Sequence, residues 1–469
     1  MADIVLNSQQ EEAFEQIVQF LEYPGQAFFI LKGYAGTGKT TLLQHLAQYL
    51  EEEERIFSLL APTGRAAAVL SAKTGYTART IHSELYHFKD IDGDADPEKQ
   101  KTAVEDYGQM RLLFEIRKPD EDTQKVYVVD EASMIGDERN DDSSFASFGS
   151  GHLLTDFMTL VGENKVIFAG DPCQLPPVGS LESPALMETF FKRLGKKVFS
   201  FEMTRILRQK QDSEVLKLAT QVRRMTGISY KTKWVKIPAR NSPWIQLAGF
   251  DRMKEIYISD LMENGSDHTI AISLSNQNCH HINLEVRKRM YGNAHQSLQV
   301  GDLLMVTQNN YLVPLTNGDF VEVVEIGPNE SVKGISFIHV TVRARLTGKK
   351  HETMLCLDPL NNGSSNLNAD QQRLLMIDFS QRMRLHGVRP KTDSYFTAMQ
   401  RDPILNSLRA NYGYAVTCHK SQGGEWEKVY FFLNKGMYVM NPPELTRWWY
   451  TGITRAKEKL ILAQDWWIG

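Results

Sequence analysis

The stretch Gly33-Tyr34-Ala35-Gly36-Thr37-Gly38-Lys39-Thr40 decides the fold, because it joins an apolar strand pattern at 28–31 to a helical pattern that begins at Leu42. It fits the spacing G-x-x-x-x-G-K-[ST] of a phosphate-binding loop, the P-loop. In such a loop the glycines let backbone N–H groups surround phosphates at a helix N-terminus, Lys39 reaches the terminal phosphates, and the Thr40 hydroxyl ligates Mg²⁺. We therefore predict a nucleoside triphosphate site. Its predicted contacts are Gly33, Ala35, Gly36, Thr37, Gly38, Lys39, Thr40 and Thr41.

Two carboxylates follow a later apolar strand pattern at 126–129. Asp130 is predicted to hold Mg²⁺, and Glu131 is predicted to polarise the attacking water, which is the division of roles that hydrolysis needs. A solvated pair of carboxylates at a strand end is the alternative interpretation. Beside a P-loop it is the weaker one.

The order of strand patterns predicts an α/β fold with two domains. Short apolar runs without alternation, typical of a parallel sheet covered on both faces, occur in two sets. The first set lies at 27–31, 56–60, 126–129 and 166–169, and the second at 269–272, 429–433 and 460–462. Between the second set's first two runs, four alternating segments at 303–306, 320–326, 337–346 and 351–357 predict an antiparallel β-barrel, followed by a helix around 374–383.

These patterns give the expected domain bounds. We expect a first α/β domain at 1–83 and 125–198, a small insertion at 84–124, a second α/β domain at 199–299 and 411–469, and a barrel-containing insertion at 300–410. The Asp-, Ser- and Gly-rich stretch 136–151 is expected to be a mobile surface loop, because such composition is typical of solvated linkers.

Composition narrows the class of protein. The chain has 469 residues, 42% hydrophobic and 23% charged, which is typical of folded water-soluble proteins. Its formal charge of −4 argues against a basic surface that binds nucleic acid non-specifically, but not against a local basic groove. The four cysteines form no C-x-x-C pair, so we expect reduced thiols. The chain shows no signal peptide or membrane-spanning run, and we expect a cytoplasmic protein.

A third stretch, Gly170-Asp171-Pro-Cys-Gln174-Leu-Pro-Pro-Val178, follows the 166–169 strand pattern. Together with the P-loop and Asp130-Glu131, in this order, it resembles motifs I, II and III of the superfamily 1 DNA helicases. The Leu-Pro-Pro-Val ending is similar to the RecD/Dda-like branch, whose members move 5′ to 3′. The resemblance implies a catalytic role for Gln174 beside Lys39 and Glu131.

The remaining motifs of that family also find counterparts in order, from residue 6 to 456. The stretch 6–10 resembles the Q-motif, with Gln10 reading adenine, although Asn7 is also a good helix N-cap. The stretches 203–209 and 450–456 resemble motifs IV and VI, which implies arginine fingers at Arg208 and Arg455. Met203 departs from the common Leu, and the loop after motif II is longer than expected. The resemblance implies DNA contacts at Pro62, Thr63, Thr80, His82, Asn276, Thr417, His419, Lys420 and Ser421.

The resemblance thus implies two RecA-like domains with ATP and Mg²⁺ in the cleft between them, and single-stranded and tailed duplex DNA as partners. It implies a 5′-to-3′ helicase that acts as a monomer in a bacterial or phage-infected cell. Phe114, in the small insertion, is either the wedge between separating strands or a core residue. The alternatives are a P-loop phosphotransferase or switch, a regulatory subunit with a vestigial motor, and a translocase that does not unwind. The pathway stays open.

Overall fold

The structure is a computed structural model, and it describes residues 5–92, 111–118, 123–139, 146–206, 213–226, 234–310, 312–390 and 392–469. Within these residues, no helix combines the length and the apolar character needed to cross a bilayer. The elements of the first part of the chain are, in order, α1 (Ser8–Glu22), β1 (Ala27–Gly33), α2 (Lys39–Glu52), β2 (Ile56–Ala61), α3 (Gly64–Thr74), β3 (Ala78–Thr80), α4 (Ile81–Leu85), β4 (Tyr86–Asp92), β5 (Arg111–Ile116), β6 (Lys125–Val129), β7 (Ala146–Phe148), α5 (Leu153–Val161), β8 (Lys165–Gly170), α6 (Glu188–Arg193) and β9 (Lys197–Met203).

The first part of the chain forms a six-stranded parallel sheet in the order β3-β2-β6-β8-β1-β9. Successive residues of β1 point to opposite faces, so Phe29 lies in one apolar cluster and Phe28 in another. Each fully buried Phe stabilises the fold by about 1.5–3 kcal/mol. The doubly covered sheet confirms the predicted parallel α/β architecture, and we call this part of the molecule the first lobe.

The sheet of the first lobe extends a few residues past the expected boundary at 198. Strand β9 runs to Met203 and pairs with β1, with Gly33 opposite Met203. The sequence from 199 onward therefore begins as an edge strand of the first sheet. The division into domains stays a prediction.

The small insertion contributes β4 and β5 to a three-stranded sheet in the order β4-β5-β7. Strand β7 comes from the stretch 136–151 that was expected to be a mobile surface loop, and it pairs in parallel with β5. Its Phe148 stacks on Phe114, with ring centroids 4.6 Å apart. The expectation of a solvated linker is therefore wrong for this end of the stretch, because an aromatic side chain anchors it to the insertion.

The remaining elements are, in chain order, α7 (Glu214–Thr226), β10 (Ile245–Ala248), α8 (Phe250–Asn264), β11 (Thr269–Ser273), α9 (Asn276–Tyr291), β12 (Leu303–Val306), β13 (Phe320–Val332), β14 (Ile335–Ala344), β15 (Lys350–Cys356), α10 (Leu357–Asn362), α11 (Ala369–Leu385), α12 (Asp393–Arg401), β16 (Ala410–Tyr412), β17 (Ala415–Thr417), β18 (Trp426–Phe431), α13 (Pro442–Ile453) and β19 (Ala456–Ala463). Five of these strands form a second parallel sheet in the order β10-β19-β18-β11-β17. We call this sheet with its helices the second lobe.

The four alternating segments of the sequence form β12, β13, β14 and β15, and together with β16 they make an antiparallel sheet in the order β15-β14-β13-β12-β16. The sheet closes on itself, because the Leu408 N–H donates to the Met354 carbonyl (2.6 Å) while β16 pairs with β12. The predicted β-barrel is therefore present. Its apolar interior is continuous with that of the second lobe.

The barrel also packs against the first lobe at the start of α3. A Cβ atom at Gly64 would lie 1.6 Å from the Thr316 hydroxyl oxygen, so only glycine fits there. The neighbouring Arg65 guanidinium lies 4.6 Å from the Phe320 ring centroid and 4.9 Å from that of Trp426. Burial lowers the pKa of Arg65 to about 10. The two cation–π contacts thus join the first lobe to the barrel and to β18.

Candidate active site

The P-loop connects β1 to α2 and has the backbone that its glycines allow. Gly36 and Gly38 have φ angles of 79° and 83°, in the left-handed region that glycine adopts without strain. A Cβ atom at Gly33 would lie 2.6 Å from Lys39 Cγ, and the Lys39 ammonium donates to the Gly33 carbonyl. The Thr37 hydroxyl donates to the Tyr34 carbonyl (2.8 Å). The loop is therefore folded around Lys39 at the N-terminus of α2.

A cavity of about 800 Å³ opens in front of this loop. Its lining includes eleven of the residues predicted from the sequence, drawn from both lobes: Gln10, Ala35, Gly36, Gly38, Lys39, Thr40, Thr41, Asp130, Glu131, Gln174 and Arg455. Gly33 and Thr37 are buried behind the loop and do not line the cavity. The structure thus brings eleven of the predicted residues together in a single cavity.

Asp130 and Glu131 follow β6 and face this cavity. Burial, together with the nearby charge of Glu131, raises the pKa of Asp130 to about 6, and Lys39 and Lys73 oppose that rise. Glu131 has a φ angle of 51°, an uncommon value for a residue with a side chain. Such local strain is frequent at functional sites, where the surrounding structure holds it in place.

Gln174 lines the same cavity and lies in the stretch that follows β8. Its side-chain oxygen is buried without a hydrogen-bond partner in the described residues. Because buried amide oxygens are nearly always hydrogen-bonded, this atom is available to a ligand in the cavity. Asp171, three residues earlier, is fully buried, and burial raises its pKa.

Gln10 has two roles in the structure. Its side-chain oxygen accepts from the Asn7 N–H (3.0 Å), which completes a capping box at the start of α1. Its side-chain nitrogen donates to the Gly38 carbonyl (3.1 Å). The helix-capping interpretation of Asn7 is confirmed, and the adenine contact of Gln10 stays a prediction.

Arg455 comes from the second lobe, just after α13, and it is buried. Its guanidinium donates to the carbonyl oxygens of Thr451 (3.0 Å) and Gly424 (3.1 Å). These neutral acceptors hold the side chain in place, and among the described residues no carboxylate accepts a hydrogen bond from its guanidinium. The other predicted finger, Arg208, lies outside the described residues.

The sequence did not indicate two further features of the site. Lys73, in α3, lines the cavity, and Tyr450, in α13, contacts the P-loop because its hydroxyl accepts from the Ala35 N–H (3.1 Å). Tyr34 is held in turn by Arg223, whose guanidinium carbon lies 3.8 Å from the Tyr34 ring centroid. No signal in the sequence marks Lys73, whereas Tyr450 lies within the stretch 450–456 that resembles motif VI.

The predicted DNA contacts of the first lobe lie at the carboxyl ends of β2 and β3. These strands are neighbours, so Thr63 and Thr80 lie at the same edge of the sheet, and each hydroxyl caps the helix that follows it. The ring of His82 lies 5.6 Å from that of Phe148, and burial lowers the pKa of His82. His82 is therefore suited to stacking rather than to an ion pair with phosphate.

The predicted DNA contacts of the second lobe lie at the carboxyl ends of β11 and β17, which are also neighbours. Asn276, Thr417 and Lys420 line one small cavity, and burial lowers the pKa of Lys420. The Lys420 ammonium has no hydrogen-bond partner in the part of the chain that the structure describes. Ser421 is fully buried and its hydroxyl donates to the Cys418 carbonyl (2.7 Å), which argues against a direct contact with DNA.

A second large cavity, of about 450 Å³, lies between the small insertion and the region of the barrel. Aromatic rings and side-chain amides dominate its lining, which includes Tyr86, Phe88, Phe114, Asn309, Asn310, Gln372, Gln400 and Asn406. Phe88 contacts Phe396 of α12, with ring centroids 5.4 Å apart, and so joins the two sides. Phe114 packs against Phe148 as a core residue would, and its wedge role stays a prediction.

Two family profiles match the sequence. The profile of the AAA domain matches residues 5–231, and that of the UvrD-like helicase C-terminal domain matches residues 412–463. The first match covers the P-loop, Asp130, Glu131 and Gln174. The second match covers Arg455 and Tyr450.

Several curated proteins are similar to this chain. The uncharacterised protein R530 of Acanthamoeba polyphaga mimivirus is 23% identical over 521 residues, which cover 97% of this chain and 99% of the viral protein. The ATP-dependent RecD2 DNA helicase of Deinococcus radiodurans is 22% identical over 466 residues, which cover 98% of this chain. This chain spans 49% of the length of that helicase.

Solved structures that align with this chain include the Pif1 helicase from Bacteroides in complex with ADP-AlF3 and single-stranded DNA. It has a TM-score of 0.49 and 17% identity, and the match covers 99% of this chain and 93% of the Bacteroides chain. The Pif1 helicase from Candida albicans has a TM-score of 0.45 and 16% identity, with coverage of 99% and 95%.

Proposed function

We propose that this chain, which belongs to the superfamily 1 helicases and hydrolyses ATP, moves 5′ to 3′ along single-stranded DNA and unwinds duplex DNA. The observation that carries the proposal is the cavity of about 800 Å³ to which both lobes contribute. Lys39, Asp130 and Glu131 enter it from the first lobe and Arg455 enters it from the second. A nucleotide bound in this cavity would contact both lobes, so its charge would affect the distance between them.

The first lobe supplies the groups that hydrolysis needs. Lys39 would contact the terminal phosphates at the N-terminus of α2. Glu131 would polarise a water for attack on the γ-phosphate, and the side-chain oxygen of Gln174, which has no hydrogen-bond partner among the described residues, would help to orient that water. Both Thr40 and Asp130 line the cavity and offer the oxygen ligands that Mg²⁺ prefers. When bound, Mg²⁺ would neutralise charge on the phosphates.

The second lobe supplies the charge that couples hydrolysis to movement. Arg455 has neutral hydrogen-bond acceptors around it, and a γ-phosphate would give it an anionic partner. Arg208 would add a second such contact. Loss of the γ-phosphate after hydrolysis would remove these interactions, so the lobes could separate again.

We propose that DNA binds at the carboxyl ends of β2 and β3 in the first lobe and of β11 and β17 in the second lobe. The Thr63 and Thr80 side of the first lobe and the Thr417 and Lys420 side of the second offer hydroxyl and ammonium groups to phosphates. A phosphate would give the Lys420 ammonium a hydrogen-bond partner, which it does not have among the described residues. The cavity of about 450 Å³, with its aromatic and amide lining, is suited to unpaired bases, because every base can stack on an aromatic ring.

The direction of movement rests on the resemblance of 174–178 to the RecD/Dda-like branch. We propose that single-stranded and 5′-tailed duplex DNA are the substrates, that the chain acts as a monomer, and that it works in the cytoplasm of a bacterial or phage-infected cell. A protein of this kind alternates its hold on DNA between the two lobes as the cleft closes and opens.

Unwinding of tailed duplexes tests the proposal. The full chain with ATP and Mg²⁺ should separate a duplex with a single-stranded 5′ tail and leave a duplex with only a 3′ tail intact, and Glu131→Gln should separate neither. Efficient separation from the 3′ tail would reverse the direction. Turnover stimulated by single-stranded DNA without separation of either duplex would identify a translocase that does not unwind.

A further inference from the structure

One buried hydroxyl, that of Tyr450, joins three elements at the boundary between the lobes. It donates to Asp171 Oδ2 (2.7 Å) at the end of β8 and accepts from the Ala35 N–H (3.1 Å) in the P-loop. Tyr450 itself belongs to α13 of the second lobe and is 2% exposed. The hydroxyl therefore bridges the nucleotide-binding loop and the third predicted motif of the first lobe from the opposite lobe.

The surrounding groups fix the direction of both hydrogen bonds. Burial raises the pKa of Tyr450, so the hydroxyl keeps its proton and can donate. Asp171 accepts a hydrogen bond from the Tyr450 hydroxyl on one oxygen and from the Cys173 N–H (2.9 Å) on the other. The Tyr450 oxygen then has a lone pair left for the Ala35 N–H. Both bonds form together only when the P-loop, β8 and α13 keep their present separations.

Tyr450 is also linked to Arg455 through the last turn of α13. The Tyr450 carbonyl accepts from the Thr454 N–H (3.0 Å), and the Arg455 Nε donates to the carbonyl of Thr451 (3.0 Å). The Thr451 hydroxyl accepts in turn from the Leu175 N–H (3.0 Å) of the first lobe. Tyr450 and Arg455 thus belong to one hydrogen-bonded turn, which is attached to the first lobe by the Tyr450 hydroxyl and by Thr451.

We propose that Tyr450 is a positioning residue for ATP hydrolysis: its hydroxyl holds the P-loop and Asp171 against α13 and thereby places Arg455 at the nucleotide. The proposal deepens the proposed function, since it concerns the same cavity, but it needs only ATP hydrolysis and neither unwinding nor a direction. Tyr450 acts through Arg455 and makes no contact with the reacting atoms in this account.

The first experiment is Tyr450→Phe in the full chain, assayed for steady-state ATP turnover. The ring keeps its packing while both hydrogen bonds are lost, so kcat should fall about ten-fold to a hundred-fold, as expected for loss of a hydrogen bond to a charged group. The KM for ATP should stay within about two-fold, because the phosphate contacts of Lys39 remain. Tyr430→Phe is the matched control, since the Tyr430 hydroxyl donates to Asp260 (2.9 Å) within the second lobe alone. It should leave both constants unchanged.

A double-mutant cycle with Arg455→Ala separates positioning from a purely structural role. If Tyr450 acts through Arg455, Tyr450→Phe should change kcat by less than about two-fold when Arg455 is already absent. A similar fall of kcat in both backgrounds would contradict the proposal, and so would an unchanged kcat in the single variant. If Tyr450→Phe does not fold, Asp171→Asn takes its place in the same cycle, because it weakens the same bridge from the other side.

The outcome is distinguishable from failure of the proposed function. The cycle can be measured on turnover without DNA, so it stands even if tailed duplexes are not unwound. Conversely, a chain that unwinds 5′-tailed duplexes normally with Tyr450→Phe would keep the proposed function and lose this inference.

Discussion

The two parallel sheets of this molecule have the same architecture but present different chemistry at their carboxyl ends. In the first sheet β1, β6 and β8 lead into Lys39, Asp130 and Asp171, a cation beside buried carboxylates. In the second sheet β11 and β17 lead into neutral and basic groups at 275–276 and 417–420. A common fold thus carries the proposed site for hydrolysis in one lobe and the proposed DNA-binding surface in the other.

The difference indicates how the second lobe, which has no P-loop among its described residues, would take part in the proposed hydrolysis. It contributes from the end of α13, where Arg455 lines the cavity and Tyr450 contacts the P-loop. Substitutions at the nucleotide cavity and substitutions at the end of the second sheet should therefore affect different properties of the protein. Groups at the cavity should change turnover, and groups at the second sheet should change DNA affinity.

The largest expected effect is that of Arg455→Ala. Turnover of ATP should fall on the order of a thousand-fold, because an arginine that neutralises charge in the transition state contributes this much in related phosphoryl-transfer enzymes. Affinity for single-stranded DNA, measured by fluorescence anisotropy, should stay unchanged. Arg455→Lys should restore only part of the rate, since a lysine keeps the charge but not the planar fork of donors.

Arg252→Ala is the matched control, because this arginine lies exposed on α8 of the same lobe. Its turnover should equal that of the unmodified chain. Normal turnover in Arg455→Ala would show that the second lobe does not take part in hydrolysis.

Glu131→Gln should have the next largest effect. It removes the group that polarises the attacking water, so turnover should fall at least about a hundred-fold. Binding of a fluorescent ATP analogue should stay close to normal because the P-loop is intact. Glu182→Gln, at an exposed position of the same lobe, serves as the control. Near-normal turnover in Glu131→Gln would contradict the assignment of the hydrolysis site to the end of the first sheet.

Lys420→Ala should have a smaller effect, and on a different property. Affinity for single-stranded DNA should fall, and the slope of log affinity against log salt should become less steep by about 0.7, the value for one lost phosphate contact. Turnover without DNA should stay the same. Lys457→Ala, exposed near the start of β19, should leave the slope unchanged. An unchanged slope in Lys420→Ala would show that Lys420 does not contact a DNA phosphate.

Much of the fold could be predicted because each strand carries its own signal. The apolar runs at 27–31, 56–60, 126–129 and 166–169 correspond to β1, β2, β6 and β8, which are neighbours in the sheet. The nucleotide residues could be predicted because a P-loop is local, with its chemistry and its spacing in one stretch of chain. The alternating segments of the barrel were equally readable from the sequence.

The rest depends on contacts between distant parts of the chain. Strand β9 joins the first sheet only through its pairing with β1, and Phe148 is anchored only because Phe114 lies opposite. The hydroxyl of Tyr450 finds Ala35 and Asp171 across the boundary between the lobes, more than two hundred residues away in sequence. Such pairings leave no periodic signal, because nothing in the local sequence specifies the partner.

Coupling between the two sheets is the central claim, and steady-state ATP turnover with and without single-stranded DNA tests it most directly. With the full chain, saturating ATP and Mg²⁺, a saturating single-stranded oligonucleotide should raise turnover by about ten-fold or more, as expected if DNA on the strand ends favours closure over the nucleotide. The same increase should be absent with Arg455→Ala. Equal turnover of the unmodified chain with and without DNA would contradict the account, because hydrolysis in the cavity would then be independent of the second sheet.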